Sequence, residues 1–479
     1  MFHSNSTLTS TNFIKRSIFM RFLLVFCFLI IIAINNNNVL AFQYLEGKAE
    51  DNIYPKPLYV ESSSNNHDCI RIAVNSTLQF QGGWTLDERQ AIRAFYHVFF
   101  LNINPTHWRD VFYDFPVPQI NIVLNPSLTQ TDFAYNNTIP FGSNERYDIY
   151  ANKGYIRIVA PSTFGVQNAF KTIAQLSYIN SDHQICVTFL PFSIRDEPTY
   201  RYRGLMIDTG RIYYEVDFIK SVIRGMSSLK LNALHWHISD DQSFPFEIME
   251  YPYLHIKGAS HLGFIHNGIQ TPQTRFYNTD EIKSIIDYAA IYGVRVIPEI
   301  DMPAHARSWG KGYNISTVCP GYLLPFINTL SFDYTLNVPL DISLELTYEI
   351  ITAIIKSIAT LFRDPYVHLG GDEIPVGCWG EDLAMMKRMA SYGYSDPNTY
   401  FNEKSIEKDG SIVERGFSDR VWHRLIAISE KLWSSRNSTS KVDKQTIERA
   451  TRFAKHLENQ DIDIGDTINR IKNYDTEFN

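Results

Sequence analysis

From Arg203 onward, strand-like and helix-like segments alternate, and this alternation limits the fold more than any other feature of the sequence. The strand-like segments are GLMID (204–208), NALHWHIS (232–239), VRVIPEI (294–300) and YVHLGG (366–371). Helix-like segments separate them at 215–229, 279–293 and 344–362, and we expect Thr279 to cap the second helix. Repeated alternation of this kind predicts parallel βα units.

Polar residues follow each strand-like segment at its carboxyl end. They are Asp208 and Arg211, then His237 and Asp240, then Glu299 and Asp301, and finally Asp372 and Glu373. In a (β/α)₈ barrel the active site gathers at this end of the strands. We therefore expect a TIM-type barrel with these side chains around its mouth.

The 479 residues are too many for one hydrophobic core, which rarely grows past about 250–300 residues. Before the alternation, strands at 69–74, 120–125, 155–160 and 186–190 and helices at 86–100 and 164–176 predict a small α/β domain without a catalytic motif. The expected organisation is an N-terminal α/β domain (42–198), a barrel domain (199–437) and a C-terminal helical tail (438–479).

The first 41 residues have the pattern of a secretory signal peptide. Basic residues precede the apolar run 22–34, which is too short to span a bilayer comfortably, and VLA (39–41) offers a cleavage site. Translation from Met20 would give a more usual signal than translation from Met1, and an uncleaved anchor is the alternative. After cleavage we expect no membrane contact. The formal charge of −7 argues against a nucleic-acid partner.

Secretory routing agrees with two further features. Potential N-glycosylation sites lie at Asn75, Asn136, Asn314 and Asn437. Loss of Cys27 with the signal would leave Cys69, Cys186, Cys319 and Cys378, an even number that favours two disulfides. Four cysteines allow three pairings, and the residues alone do not choose among them.

The stretch HLGGDEIPVGCW (368–379) places two glycines before two adjacent carboxylates. A protonated carboxyl group can act as a general acid, and a neighbouring carboxylate raises such a pKa. Most glycosidases hold two carboxyl groups about 5–5.5 Å or 6.5–9.5 Å apart, which adjacent residues cannot easily do. The pair therefore indicates one acid and one helper, with a nucleophile from elsewhere, including the substrate itself. The alternative is a solvated acidic turn.

The segment HWHISDD (235–241) has a second interpretation, because His and Asp are good metal ligands. His235 and His237 share one strand face, but the sequence offers no obvious third ligand. We therefore expect no metal and no cofactor, with His235 a packed residue and Trp236 in the core. Trp309 and Trp379 lie near the motifs, and the sequence is compatible with a position at the barrel mouth or in the core for each.

Four long motifs in order carry a family resemblance: RGLMIDTGR (203–211), LNALHWHISDDQSFPFE (231–247), VIPEIDMPAHA (296–306) and HLGGDEIPVGCW (368–379). They resemble the β-N-acetylhexosaminidases of glycoside hydrolase family 20, eukaryotic lysosomal type, and VWHRLIAISEKLWSSRN (421–437) resembles the last barrel helix of that family. The resemblance implies an exo-acting, retaining enzyme that releases terminal N-acetylglucosamine or N-acetylgalactosamine from glycoconjugates. In this family the substrate's own acetamido group is the nucleophile.

The resemblance also implies a role for each matching residue. Glu373 would be the general acid and later the base, and Asp372 would orient the acetamido group. Arg211 would bind the 3- and 4-hydroxyls of the sugar, with Asp240 and His305 also at the substrate. The supporting shell would be His237, Glu299 and Asp301.

A disulfide between Cys319 and Cys378 is implied as well, which leaves Cys69 for Cys186 by elimination. The implied partners are N-acetylhexosamine-terminated glycans, the implied compartment is lysosomal or secreted, and both a homodimer and a heterodimer stay open.

The chain departs from the family pattern after Glu373. From Ile374 to Trp433 there are 60 residues, whereas four more βα units at roughly 30 residues each would need about 120. Residues 380–420 contain one helix-like segment (381–391) and no apolar run of strand length. We therefore predict an incomplete barrel in which strands five to eight are largely missing. Missing coding segments, or a catalytically degenerate paralog that acts as a subunit or sugar-binding protein, would both explain this departure.

Overall fold

The structure is a computed structural model that describes most of residues 45–397 and the segment 444–458, with longer gaps at 82–94, 104–118, 125–138 and 318–336; it also describes Ser429, Trp433, Ser434 and Ile468. Signal peptide and cleavage site lie outside the described residues, as do residues 398–428. No helix within the described part is both long and apolar enough to cross a membrane.

The N-terminal part contains a mixed six-stranded sheet in the order β1-β9-β5-β6-β4-β3. Its strands are β1 (Tyr59–Ser62), β3 (Leu78–Gln81), β4 (Gln119–Leu124), β5 (Tyr147–Ala151), β6 (Tyr155–Ala160) and β9 (Phe192–Asp196). Burial alternates along β6, because Ile156, Ile158 and Ala160 face the core while the residues between them lie on the more exposed face.

A smaller antiparallel sheet has the order β2-β8-β7, formed by β2 (Ile70–Ile72), β7 (Ser177–Ile179) and β8 (Ile185–Val187). The disulfide between Cys69 and Cys186 joins its first strand to its central one. Among the described residues of this part, the helices α1 (Ala49–Asn52) and α2 (Thr163–Gln175) and a π-helix (Phe95–Phe100) accompany the two sheets. The hydroxyl of Ser162 accepts a hydrogen bond from the Gly165 N–H and so caps α2.

The second part carries a parallel sheet in the order β10-β11-β14, with β10 (Gly204–Asp208), β11 (Ala233–Ser239) and β14 (Arg295–Ile300). The main crossover helices are α3 (Val216–Ser228) and α5 (Thr279–Ile291), and α7 (Glu345–Leu361) follows β14. β11 is almost entirely buried, as a parallel strand covered on both faces must be. These parallel βα units are the ones that the alternation predicted.

Shorter elements complete the described fold. They are α4 (Tyr253–Gly258), the pair β12 (Ile265–His266) and β13 (Ile269–Gln270), α6 (Arg307–Gly312), α8 (Val376–Glu381), α9 (Leu383–Ser391) and α10 (Lys444–Glu458). The single helix predicted at 381–391 is thus preceded by a second short helix.

The prediction of a fourth strand at 366–371 was only partly right. His368 forms an isolated parallel bridge with Glu299, and its N–H donates to the Pro298 carbonyl oxygen at 2.9 Å. Pairing then stops because Gly370 and Gly371 adopt φ of 65° and 102°, which a strand does not allow.

The predicted helix cap at Thr279 was wrong by one residue. The side chain of Asn278 accepts hydrogen bonds from the N–H groups of Asp280 and Glu281, and Glu281 completes a capping box. Thr279 instead donates its hydroxyl to the Glu247 carboxylate at 2.8 Å. Both residue types cap helices well, so the sequence alone did not separate them.

Buried ion pairs lie at the amino ends of the three parallel strands. Arg203 precedes β10 and binds Glu145, and Arg295 opens β14 with two hydrogen bonds to Asp364 at 2.6 and 2.8 Å.

Lys230 precedes β11 and donates to the Tyr147 hydroxyl at 2.7 Å and to Asp196 at 2.9 Å. Trp433 also donates to Asp196, at 2.8 Å. Tyr147 and Asp196 belong to the N-terminal sheet, so this network ties the two parts of the chain together.

Candidate active site

The carboxyl end of β10 brings Asp208 and Arg211 toward the end of β11. Arg211 Nη1 lies 3.1 Å from Asp208 Oδ2, and its Nη2 lies 2.8 Å from Asp240 Oδ2. Gly210 allows this approach, because a Cβ at that position would lie 2.5 Å from Asp240 N. The guanidinium is thus held by two carboxylates while part of it remains exposed.

Glu299 stands at the centre of three histidines. Its Oε2 lies 2.5 Å from His235 Nε2 and 3.1 Å from His237 Nδ1, and its Oε1 lies 3.0 Å from His368 Nδ1. Burial by itself would raise the pKa of Glu299, but the three imidazoles hold that pKa far below its ordinary value. His235 is therefore more than the packed residue that the sequence suggested.

His237 faces a carboxylate with each ring nitrogen. Its Nε2 lies 3.0 Å from Asp240 Oδ2, while its Nδ1 faces Glu299. Burial disfavours the charged ring, yet the bonds to Asp240 and Glu299 outweigh burial and raise the pKa of His237 to about 10. Asp240 is fully buried, and despite that burial its contacts with His237, His305 and Arg211 depress its pKa strongly. The cluster is therefore a set of opposite charges at neutral pH.

His305 connects this buried cluster to Glu373. Its Nδ1 lies 3.2 Å from Asp240 Oδ1 and 3.6 Å from Asp241 Oδ2, and its Nε2 lies 3.2 Å from Glu373 Oε2. Burial lowers the pKa of His305, but the contacts with the two aspartates raise it to about 11. The Glu373 side chain is 62% exposed, so its carboxyl group is the part of this chain of contacts that a substrate can reach.

The positions of Gly370 and Gly371, directly before the acids, each favour glycine. A Cβ at Gly370 would fall 1.7 Å from Asp301 Oδ1, and Gly371 donates its N–H to the same oxygen at 3.2 Å. Both also have positive φ, a conformation in which glycine is favoured. The glycines thus let the loop lie against Asp301 and turn Glu373 toward His305.

Not every predicted site residue can be located. Asp372 and Cys319 lie outside the described residues, as do Asn75, Asn136 and Asn437. Asn314 is described and exposed.

Cys378 is buried and disulfide-bonded, and its sulfur lies 3.2 Å from Thr317 Oγ1. Its pairing with Cys319 remains a prediction.

The tryptophans near the motifs are core residues. Trp236, Trp309 and Trp379 are each fully buried. Trp236 donates to Thr209 Oγ1, and Trp379 donates to the Leu340 carbonyl oxygen, both at 2.9 Å. None of the three is available to line a sugar-binding surface in this structure.

Among the residues that the structure describes, three groups of side chains have ligand atoms close enough to hold a metal ion. They are His235 with Glu299 and His368, His237 with Asp240 and Asp301, and Asp240 with Asp241 and His305. The sequence had offered no third ligand for His235, and the fold supplies two. In the first group His235 Nε2 and His368 Nδ1 each already face a Glu299 oxygen, so both potential ligand nitrogens have a partner without an ion. The expectation that no metal is needed stays a prediction.

Two residues of the cluster were missed from sequence. His368 precedes the glycine pair within the same motif, at the carboxyl end of a strand-like segment, which is where the site residues of a βα barrel lie. Asn337 lies in the otherwise unremarked segment LNVPLD (336–341), and only the folded chain brings it to His305.

Comparison with known proteins agrees with this geometry. Residues 200–409 match the family described as glycosyl hydrolase family 20, catalytic domain. The chain is 32% identical over 348 residues to β-hexosaminidase subunit A1 of Dictyostelium discoideum, covering 70% of this chain and 60% of that protein. It is 31% identical to β-hexosaminidase subunit beta of Rattus norvegicus, covering 62% and 53% of the two chains.

Solved structures give the same result. The Vibrio harveyi GH20 exo-β-N-acetylglucosaminidase in complex with N-acetylglucosamine superposes with a TM-score of 0.55 at 25% identity, over 75% of this chain and 53% of that one. A chitobiase of Flavobacterium johnsoniae shares the fold with a TM-score of 0.63 at 20% identity, over 88% and 74% of the two chains. The chain spans about half the length of most of the curated relatives it matches. The matched segment of the chain, residues 200–409, is thus similar to the catalytic domain of glycosyl hydrolase family 20.

Proposed function

We propose that this protein is an exo-acting β-N-acetylhexosaminidase that releases terminal N-acetylglucosamine or N-acetylgalactosamine from glycoconjugates, with retention and with the substrate's acetamido group as nucleophile. The observation that carries the proposal is the contact between the exposed Glu373 carboxyl group and His305 Nε2, at the carboxyl ends of parallel strands. The match of residues 200–409 to the catalytic domain of glycosyl hydrolase family 20 supports the reaction class.

Glu373 is the proposed general acid. His305 contacts only one of its carboxyl oxygens, so the other can meet the glycosidic oxygen and protonate the leaving group. In the second step the resulting carboxylate accepts a proton from water. His305 is itself held by Asp240 and Asp241, so the acid is backed by buried charges rather than by mobile solvent.

Asp372 is the proposed orienting group. It would accept the acetamido N–H, aim the acetamido oxygen at the anomeric carbon and balance the positive charge that develops on the ring formed. Asp372→Asn should therefore reduce turnover of N-acetylated substrates severely.

Arg211 is the proposed sugar-binding cation. Its guanidinium is fixed by Asp208 and Asp240, which pre-organises the remaining N–H donors for the 3- and 4-hydroxyls. His237, Glu299 and Asp301 are proposed to support this arrangement rather than to touch the substrate.

An incomplete barrel remains part of the proposal. The three described parallel strands and the bridge at His368 account for the first half of a (β/α)₈ barrel. A degenerate paralog that binds sugar or acts as a subunit is the alternative function.

We also propose that the protein enters the secretory pathway and is delivered to the lysosome or secreted. The N-terminal signal pattern and the exposed Asn314 support this route.

Hydrolysis of a chromogenic β-N-acetylglucosaminide by the purified protein tests the proposal, with Glu373→Gln as the matched control. Wild-type turnover well above that of Glu373→Gln is expected. Equal rates for the two proteins, together with retained binding of N-acetylglucosamine, would establish the non-catalytic alternative instead.

A further inference from the structure

Two residues at the proposed site have a backbone conformation that is rare for their type. His305 and Glu373 adopt φ of 52° and 53°, in the left-handed region that disfavours residues with a Cβ. Such strain persists only where neighbouring groups hold the backbone in place. His305 and Glu373 form the contact between imidazole and carboxyl group on which the proposed acid catalysis depends. Groups that hold these two backbones in place therefore also fix that contact.

The side chain of Asn337 touches the backbone of both. Its Oδ1 accepts a hydrogen bond from the His305 N–H at 2.8 Å, and its Nδ2 donates to the Glu373 carbonyl oxygen at 2.6 Å. The same Nδ2 lies 3.3 Å from His305 Nε2. The orientation of the amide is settled by its two backbone partners, because the His305 N–H can only donate and the Glu373 carbonyl oxygen can only accept.

The segment that carries Asn337 is itself fixed to the His305 loop. Ala306 N donates to the Val338 carbonyl oxygen at 2.9 Å, and Leu340 N donates to the Pro303 carbonyl oxygen at 2.7 Å. Val338 N donates to Asp241 Oδ1 at 3.2 Å. Asn337 therefore stands on a rigid support, and the loop after Gly371 is the element that it holds.

We propose that Asn337 is a positioning residue, which clamps the left-handed backbones of His305 and Glu373 and thereby sets the Glu373 carboxyl group against His305. The inference deepens the proposed hydrolase function and rests on it. An aspartate at this position could not donate to the Glu373 carbonyl oxygen, and an alanine would make neither bond.

A dependence on the leaving group separates this role from simple structural support. Protonation by Glu373 matters most for a poor leaving group and least for one that departs as a stable anion. Misplacing the acid in Asn337→Ala should lower kcat/KM by about 10²-fold for phenyl β-N-acetylglucosaminide, as expected for a catalytic group displaced by about 1 Å. The 2,4-dinitrophenyl glycoside should be affected far less.

Ser316→Ala is the matched control, because Ser316 donates to the Ala306 carbonyl oxygen at 2.9 Å and so supports the same loop without touching His305 or Glu373. It should change kcat/KM for the two substrates by the same factor. An equal loss for both substrates in Asn337→Ala would overturn the inference.

Crystal structures of wild type and Asn337→Ala provide a readout that does not need activity. The separation of His305 Nε2 from Glu373 Oε2, 3.2 Å here, should lengthen beyond hydrogen-bond range in the variant. An unchanged separation with both φ angles retained would refute the clamp. Absence of turnover in the wild type would instead count against the hydrolase function, and the crystallographic comparison would still decide the role of Asn337.

Discussion

The two ends of the parallel strands both carry buried charges, yet they differ in how those charges are satisfied. At the amino ends, Arg203, Lys230 and Arg295 are each almost fully buried and bound to acidic partners. At the carboxyl ends, Glu299 is shared by three histidines and His305 faces several acids at once, with one of them, Glu373, exposed.

This difference shows that buried charge alone does not mark a site. A charge pair closed on all sides can only hold elements together, whereas a network with an exposed member can act on a ligand. Strand direction separates the two, since βα barrels use their amino ends for stability and their carboxyl ends for chemistry.

The largest effect is expected at an amino end. Arg295→Met would leave the carboxylate of Asp364, 1% exposed, without its bidentate partner, so the free energy of unfolding should fall by about 3–5 kcal/mol. Chemical denaturation would measure it. Arg363→Met is the control, because the Arg363–Asp287 pair is solvent-exposed and such pairs contribute about 0–1 kcal/mol. A similar small loss for both variants would remove the distinction between the buried and the exposed pair.

Arg211→Lys should lower kcat/KM rather than the free energy of unfolding. A lysine cannot bind Asp208 and Asp240 together and still present donors to a sugar, so kcat/KM should fall on the order of 10²-fold, as for a misplaced binding group. Arg275→Lys, which changes an exposed pair with Glu215, should leave both kcat/KM and stability unchanged. Wild-type kcat/KM in Arg211→Lys would contradict the proposed role.

A dependence on pH should distinguish the carboxyl-end network. The pKa of His237 is raised from 6.5 to about 10, so its stabilising contribution is complete below pH 6.5 and is lost as the pH rises toward 10. The gap in unfolding free energy between wild type and His237→Gln should be on the order of 2 kcal/mol at pH 5.5 and shrink by pH 9.5.

His255→Gln is the control for this measurement. Burial lowers the pKa of His255, so that ring is neutral in both states above pH 6.5 and its gap should not shrink there. A constant gap for His237→Gln across the same range would show that the network does not hold a charged imidazole.

The smallest effect concerns a residue in neither cluster. Asn278→Ala removes the cap of α5 and should lower the unfolding free energy by about 1 kcal/mol without changing activity. Ser284→Ala, within the same helix, should have a smaller effect. If Asn278→Ala changed kcat instead, the separation between structural and functional residues would be incomplete.

Much of this arrangement follows from local sequence. Apolar periodicity predicted β10, β11, β14 and their helices, and the polar residues after those strands predicted Arg211, Asp240 and Glu299 at one end of a sheet. The disulfide of Cys69 with Cys186 followed only by elimination, and the structure confirms it.

What the sequence could not supply depends on contacts distant along the chain. Asn337 is 32 residues from His305 and 36 from Glu373, and no local pattern marks it. The predicted fourth strand forms a single bridge, because Gly370 and Gly371 shape the loop that packs against Asp301 and do not pair in the sheet. Trp309 and Trp379 proved buried because tertiary packing, which periodicity does not report, covers them.

The most direct test compares Glu373→Gln with Lys230→Met in one set of measurements of kcat/KM and unfolding free energy. Glu373→Gln should lose about 10²–10⁴-fold in kcat/KM with unfolding free energy unchanged, because its exposed carboxyl group serves only chemistry. Lys230→Met, which leaves buried Asp196 without its cation, should lose about 3–5 kcal/mol of stability and keep wild-type kcat/KM per folded molecule. If Glu373→Gln retained wild-type kcat/KM, or Lys230→Met lost activity without losing stability, the division between the two ends of the strands would be contradicted.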